Sequence, residues 1–550
     1  MGQKLKLLAV ALWVAFALAA SSAHWATATT SAARQTPAPG QSAGATTAER
    51  PLTPQERRGK AIYLRGESPS GNEITAMVGE LDVPASTLTC AGCHGMRGEG
   101  KTEGGVTAGN LTWANLLKPY GHTHPTGRKH GPFDEQSFAR SLVEGVDPAG
   151  NEMLVAMPRF KMAAEDVADL IAYLKRIEAD RDPGLTETSV KVGTILPATG
   201  ALAETGAAMR DVLTAYFADV NDKGGIYNRR VELQTAETGA DASATAANAR
   251  RLVEDGQVFA VVSGLSAGAD RELAALTQEA GVPFIGPATL LPQTGFQTNR
   301  YIFYLMPGAS EQARALVNFA AGRPELKKSR LAVVHSEGEL TSAAAAAVEE
   351  QARRAGWSSV VKRAYTDGRF DAAATVAALR REGAEAVFIL GTKGEEASFI
   401  KEADAAGWTP HVFLLGALTG RGLAEAVPLS FKERVFLSLP TVPGDVTREG
   451  LAELRALQQK YKLAPRHTAS QLMAFAAAKI FVEALKRAGR DLSRETLVTA
   501  LEGLYEYDTG VTPRITFGPN RRVGAAGAYV VTFDPAKREL VAASGWVKSN

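Results

Sequence analysis

The chain of 550 residues has two cysteines, Cys90 and Cys93, and His94 directly follows the second. Two thiols at this spacing beside an imidazole is the pattern that attaches a c-type haem. The sulfurs bond one edge of the macrocycle and the imidazole falls beneath the iron as proximal ligand. A disulfide closing so short a loop is strained, and a zinc site needs four ligands where three are local. Cys90, Cys93 and His94 are therefore expected to hold one covalent haem c.

The rest of the chain must supply a fold around that site. A composition of 45% apolar and 22% charged residues is that of an ordinary globular protein of three to four domains. Lys4 and Lys6, the apolar run Leu7 to Ala20 and the small residues Ser21 and Ala23 read as a secretory leader over 1–23. That run is shorter than the roughly 20 residues of a membrane span, and no later segment is read as a span. The leader lacks a cysteine, which excludes a lipoprotein anchor. Without Lys4 and Lys6, 59 basic residues balance 59 acidic ones, so no nucleic-acid partner is expected. Export to the periplasm as a soluble protein agrees with haem attachment, which occurs outside the bacterial cytoplasm.

Residues 24–52, rich in Ala, Thr, Ser, Pro and Gly, read as a flexible linker. Thr53-Pro54-Gln55-Glu56 combines an N-cap, a proline at the first helical position and a glutamate three on, opening a helix that stops near Gly66. A long glycine-rich wrapping segment follows His94, with Trp113, Tyr120, His122, His124 and His130. Val167, Leu170, Ile171, Leu174 and Ile177 then recur at helical spacing, and this face is expected to pack on the first helix.

Helix, CxxCH, wrap, Met-Pro and final helix in that order resemble the monohaem c-type cytochromes, over about 53–180. The resemblance implies an all-α domain and a distal iron ligand, for which Met157, followed by Pro158, has the matching position. A thioether there raises the reduction potential. Met153 and Met162 compete for that role, and His122, His124 or His130 remain alternatives as a second haem ligand or a separate metal site. The module carries 14 basic and 17 acidic residues, so no strongly basic docking face is visible.

Residues 181–188 form a Pro/Gly linker, too short to separate its flanking modules widely. From 189 to 550 apolar strands alternate with amphipathic helices, including Val190–Leu196, Val231–Thr235, Val258–Val262, Val282–Ile285, Leu331–His335, Ala386–Leu390 and Val412–Leu415. Such alternation makes parallel sheets. Gly193-Thr194-Ile195-Leu196-Pro197-Ala198-Thr199-Gly200, Val220-Asn221-Asp222-Lys223-Gly224-Gly225-Ile226 and Gly281-Val282-Pro283-Phe284-Ile285-Gly286-Pro287-Ala288 resemble the type I periplasmic solute-binding proteins of the leucine/isoleucine/valine-binding family. The resemblance implies a two-lobed α/β fold closing over a ligand, with lobes of roughly 189–306 plus 440–515 and 309–436 plus the tail.

In that family the first lobe offers hydroxyl and backbone groups, a carboxylate takes the ligand ammonium, and tyrosines cover it. The matching positions here are Ser266 and Gly268 in one first-lobe loop and Ala288, Thr289 and Leu290 in the other, with Leu290 where the family has threonine. In the second lobe Leu340 and Thr392 fall at the aromatic positions and Leu418 at the acidic one. Burying an ammonium without a carboxylate costs several kcal/mol, so a small non-zwitterionic ligand is expected: an alcohol, an aldehyde, or an aromatic or short-chain acid, with Lys393 read either as a carboxylate partner or as a solvated surface lysine. A lobe that has become a docking platform is the competing view. The run Thr199 to Gly206 lacks the lysine of a phosphate-binding loop and reads as a strand-to-helix turn.

Together these features point to an exported electron carrier, not an enzyme. Its redox partner would be a periplasmic quinoprotein dehydrogenase or a terminal electron acceptor. The alternative is a receptor for a transporter permease that carries a redox-sensing haem. A peroxidase is least expected, because one CxxCH means one haem and two axial ligands close the iron.

Overall fold

The computed structural model describes residues 52–549 except 80, 101, 104–105, 125, 296–297, 327–328 and 421. The expected leader, and the linker up to residue 51, lie outside the described residues. Two compact units divide between Asp182 and Pro183.

In the first unit, helix α1 (Pro54–Arg65) begins at the capping box: Thr53 Oγ1 accepts from Glu56 N–H at 3.2 Å and Glu56 Oε2 accepts from Thr53 N–H at 2.7 Å. It ends at Gly66, whose φ of 66° is the left-handed cap. The five-residue helix α2 (Cys90–His94) is capped by Thr89, which accepts from Gly92 N–H. Helices α3 (Glu135–Val143) and α4 (Ala164–Leu174) follow. Val167, Leu170, Ile171 and Leu174 of α4, with Ile177 just beyond it, join Ile62 and Tyr63 of α1 in one core. The α1/α4 crossing is close because Gly59 has no side chain: a Cβ there would stand 2.0 Å from the Asp169 carbonyl oxygen. Arg58 clamps the crossing with two bonds to the Asp169 carboxylate, at 2.6 and 3.0 Å.

The wrapping segment is more regular than its glycines suggested. Asp134 and Ser137 build a capping box for α3. To the helices is added a small antiparallel sheet of β1 (Thr75–Val78), β2 (Leu81–Pro84) and β3 (Arg159–Lys161), in the order β2-β1-β3. Gly79, at φ 61°, sits in the turn that folds β2 onto β1.

The second unit has two lobes. The first holds a parallel sheet of β4 (Ser189–Leu196), β5 (Arg230–Glu237), β6 (Ala260–Leu265), β7 (Phe284–Ala288) and β8 (Ile302–Phe303), ordered β8-β7-β6-β4-β5. The second holds β9 (Arg330–Ser336), β10 (Val360–Tyr365), β11 (Ala384–Leu390), β12 (His411–Leu415), β13 (Val435–Leu439), β14 (Gly527–Asp534) and β15 (Glu539–Lys548), ordered β10-β9-β11-β12-β13-β14-β15. Its first five strands are parallel and the last two antiparallel. The chain passes between lobes three times, after Met306, after Leu439 and before Gly527, since residues 454–525 return to the first-lobe core.

The expectation that no later segment has the length and apolarity of a membrane span is corrected by the helix Thr468–Ala488, which has both. Its apolar residues, among them Phe475, Ile480, Phe481 and Leu485, are buried in the first-lobe core, so its hydrophobicity serves packing on several sides.

Candidate functional site: a haem cavity and an interlobe cleft

The α2 turn explains the CxxCH spacing physically. Residues i, i+3 and i+4 share one helix face, so Cys90, Cys93 and His94 all line a single cavity of about 530 Å³. Cys90 and Cys93 form no disulfide, and burial pushes the Cys90 thiol up to about 12. His94 is buried, and its Nδ1 lies 2.7 Å from the Gly109 carbonyl oxygen. A carbonyl can only accept, so Nδ1 carries the hydrogen and Nε2 keeps the lone pair that a metal requires. Burial lowers the pKa of His94 and so favours the neutral ring, against the opposing effect of the Gly109 bond.

Met157 lines the same cavity. Its N–H donates to the Leu154 carbonyl at 2.9 Å, and the chain runs directly on into β3, which pairs with β1 and so holds the Met-Pro turn in place. Met153 shares the cavity, whereas Met162 lines a small separate void with Ile62, Phe160 and Leu170. His122, His124 and His130 also reach the cavity. Among the described residues, no three His, Cys, Asp or Glu side chains converge as metal ligands. The residues present fit a haem: two thiols, a fixed imidazole lone pair and a thioether surround a space of the size that encloses an organic cofactor.

Asp147 braces this wall. It accepts from Arg128 Nη1 at 2.8 Å, from Ala149 N–H at 2.9 Å and from Asn151 N–H at 3.0 Å. Burial raises its pKa, but the bonds from Asn151, Arg128 and the backbone outweigh burial and hold it below the ordinary carboxylate value. A depressed folded pKa contributes stability that is present above the unfolded value near 4 and lost as pH falls through the folded value. Acid unfolding of the cytochrome unit is thus expected below about pH 4, and Asp147→Asn should flatten that limb when melting is followed by circular dichroism.

In the second unit, the carboxyl ends of the strands in both lobes face one another, because Arg271 Nη2, just past β6, pairs with Glu339 Oε1, just past β9, at 2.7 Å. Open α/β sheets bind ligands at such ends. Ser266 and Gly268 occupy the turn after β6; Ala288 ends β7, with Thr289 and Leu290 next. Ser263 within β6 is fully buried at φ 57°, with its Oγ lacking a partner. Leu290 and Leu340 both pack on the second-lobe core, and Leu418 is a buried member of it. Thr392 sits in the turn after β11. Lys393 is paired with Asp367 at 2.7 Å.

Two acids escaped the sequence reading. The Asp270 carboxyl lies beside the Ser266 and Thr289 hydroxyls, and burial raises its pKa against their effect. Glu395 is buried beside Thr392, accepts from Lys393 N–H at 2.7 Å, and meets the Tyr365 phenol at Gly391. Asp270, four residues past Ser266 at a helix start, was the available signal; no pattern marked Glu395.

Fold and cleft together define a two-lobed solute-binding protein preceded by a haem-type module. The periplasmic binding protein family model matches residues 189–538, more than half of the chain, and a cytochrome c model matches 85–178. The chain belongs to the periplasmic binding protein family, of the type I leucine/isoleucine/valine-binding kind, and carries a cytochrome c domain ahead of it. It is 25% identical over 346 residues to Leu/Ile/Val-binding protein homolog 8 of Brucella abortus, covering 60% of this chain and 85% of that protein. It is 24% identical over 339 residues to homolog 7 of Brucella suis, covering 59% and 82%. A branched chain amino acid ABC transporter structure from Thermus thermophilus, with bound valine, shares the fold at 20% identity and TM-score 0.51, covering 66% of this chain and 97% of that one.

Proposed function

We propose that this chain is an exported, periplasmic haem c electron carrier, not an enzyme, with limits of 53–180 for the cytochrome module, 181–188 for the linker and 189–550 for the binding module. The observation that carries the reading is that both thiols, the neutral His94 and Met157 line one cavity. A single haem bound there supplies one-electron redox chemistry. Cys90 and Cys93 would tether it, His94 Nε2 and the Met157 sulfur would bind its iron, and the apolar part of the wall would keep water from it. Met157→Ala is expected to alter the optical spectrum and lower the reduction potential. An unchanged spectrum and potential would transfer the distal role to another group, with His122 next to be replaced.

The binding module, on this reading, takes a small non-zwitterionic molecule or docks a dehydrogenase that delivers electrons to the haem. Ser266 and Thr289 face the chain's own Asp270, so the first-lobe hydroxyls are already engaged by a carboxyl group, and a ligand carboxylate beside Asp270 would be repelled. Leu290 and Leu340 supply apolar surface. A thermal-shift screen should find stabilisation by alcohols or aldehydes, about 2.7 kcal/mol at a hundredfold excess over Kd. Stabilisation by leucine or valine would instead favour the second reading, a receptor for an ABC-type transporter permease. The names of the Brucella relatives and the valine-bound Thermus protein speak for that alternative.

A further inference from the structure

The charged groups at the interlobe cleft are unequally provided with partners. Arg271 pairs with Glu339 at 2.7 Å, and Lys393 pairs with Asp367 at 2.7 Å. Each of these cations is matched by one acid. Asp270 and Glu395 are additional, and among the described residues no lysine or arginine pairs with either of them.

Asp270 opens the helix Asp270–Ala280 that follows β6. Its carboxyl lies beside the Ser266 and Thr289 hydroxyls; burial pushes its pKa up, and Glu339 of the other lobe pushes the same way. Glu395 opens the helix Glu395–Ala405 that follows β11 and is only 6% exposed. Its Oε2 accepts from Lys393 N–H at 2.7 Å, whereas its Oε1 is buried without a hydrogen-bond partner. The side chain folds back to the carboxyl end of β11, where it and the Tyr365 hydroxyl fill the space that a Cβ at Gly391 would need. Tyr365 ends β10 opposite Ser336 of β9, and its hydroxyl is likewise buried without a partner. The neighbouring Glu396 is used differently, accepting from Gly420 N–H at 2.6 Å.

An unpartnered carboxylate oxygen in a buried setting is costly, and the cost is removed when a donor reaches it. The donor that suits this site is also a cation, because the facing lobe presents a second acid with no cation of its own. A ligand carboxylate meets repulsion from Asp270 on one wall and Glu395 on the other. A metal ion would want more ligands than are present, since no three acidic, histidine or cysteine side chains converge among the described residues. An ammonium group brings three N–H donors and one positive charge, and Leu290, Leu340 and Leu418 offer apolar surface to the hydrocarbon that carries it.

We propose that the cleft recognises a small organic ammonium ion without a carboxylate, a primary amine or amino alcohol, with Glu395 Oε1 and the Tyr365 hydroxyl taking its N–H donors and Asp270 facing it from the first lobe. The inference rests on the reading of the cleft as a site for a small non-zwitterionic molecule and narrows that class to cations.

The test uses probes that share one isopropyl body and differ in the head group: isobutylamine, isobutanol, isobutyrate and valine, each titrated by calorimetry into the purified full chain at pH 7. Hydrogen bonds to a charged group exceed neutral ones by enough to make isobutylamine bind about tenfold tighter than isobutanol, while isobutyrate should not bind. Glu395→Gln and Asp270→Asn, each checked for folding by circular dichroism, should narrow the preference of amine over alcohol. The comparison within the unaltered protein decides the matter even where a variant fails to fold. Isobutanol bound as tightly as isobutylamine, as expected if water alone satisfies Glu395, overturns the proposal and leaves the non-zwitterionic reading in place; so does a preference for the amine that is undiminished in both variants. Valine bound more tightly than isobutylamine overturns both. Binding of none of the probes overturns the proposal and leaves the docking role.

Discussion

Replacing Cys90 and Cys93 together by alanine removes all covalently held haem from the exported protein, read as loss of haem staining on a denaturing gel. The cytochrome unit is then left with an open cavity of about 530 Å³ inside its core. A group enclosed only by the folded state stabilises that state. The double variant should therefore melt earlier in its cytochrome transition, while the transition of the binding unit stays where it was. Haem staining that persists in the variant would place the attachment elsewhere.

The second large effect lies at Gly59. A Cβ there would stand 2.0 Å from the Asp169 carbonyl oxygen, 2.6 Å from its carbon and 2.8 Å from Tyr173 Cβ. Two of those three neighbours are backbone of α4, which is held by a buried face and by the Arg58–Asp169 clamp. The obstacle cannot rotate away, and α1 must separate from α4. Overpacking a core costs about 1–3 kcal/mol when side chains can adjust; Gly59→Leu is expected to cost about 3 kcal/mol or more and to prevent the exported protein from acquiring haem. Gly59→Ala should fall between, with a lowered melting temperature of the cytochrome unit in calorimetry. A Gly59→Leu protein with unaltered haem content and melting would show that the two helices do not meet here.

The haem cavity was legible in the sequence because its chemistry is local. Cys90, Cys93 and His94 lie within five residues on one helical turn, and the capping box of Thr53 and Glu56 marked the helix that packs beside it. The His122, His124 and His130 hairpin was harder to see. Its alternation is only two residues long on each strand, and the contact of His124 with His130 forms across a turn. In the binding unit the strands found first were buried apolar runs such as Leu331 to His335 and Val412 to Leu415. Strand β10 was missed because it is a sheet edge carrying Lys362 and Arg363, and the β14–β15 hairpin because its partner strand β13 lies far earlier in the chain. The approach of Asp270, at a helix start, to Thr289 in the loop after β7 joins segments distant in sequence, which is why the cleft read as lacking a carboxylate.

Every expectation for the cytochrome unit depends on one haem bonded to Cys90 and Cys93. Intact mass spectrometry of the full-length protein, produced in a bacterial host that matures c-type cytochromes, tests it most directly. The expected result is a mature polypeptide heavier by one haem, with the added mass retained after denaturation and located on the peptide containing Cys90 and Cys93. A denatured mass equal to the bare polypeptide, or haem found on any other peptide, would contradict it.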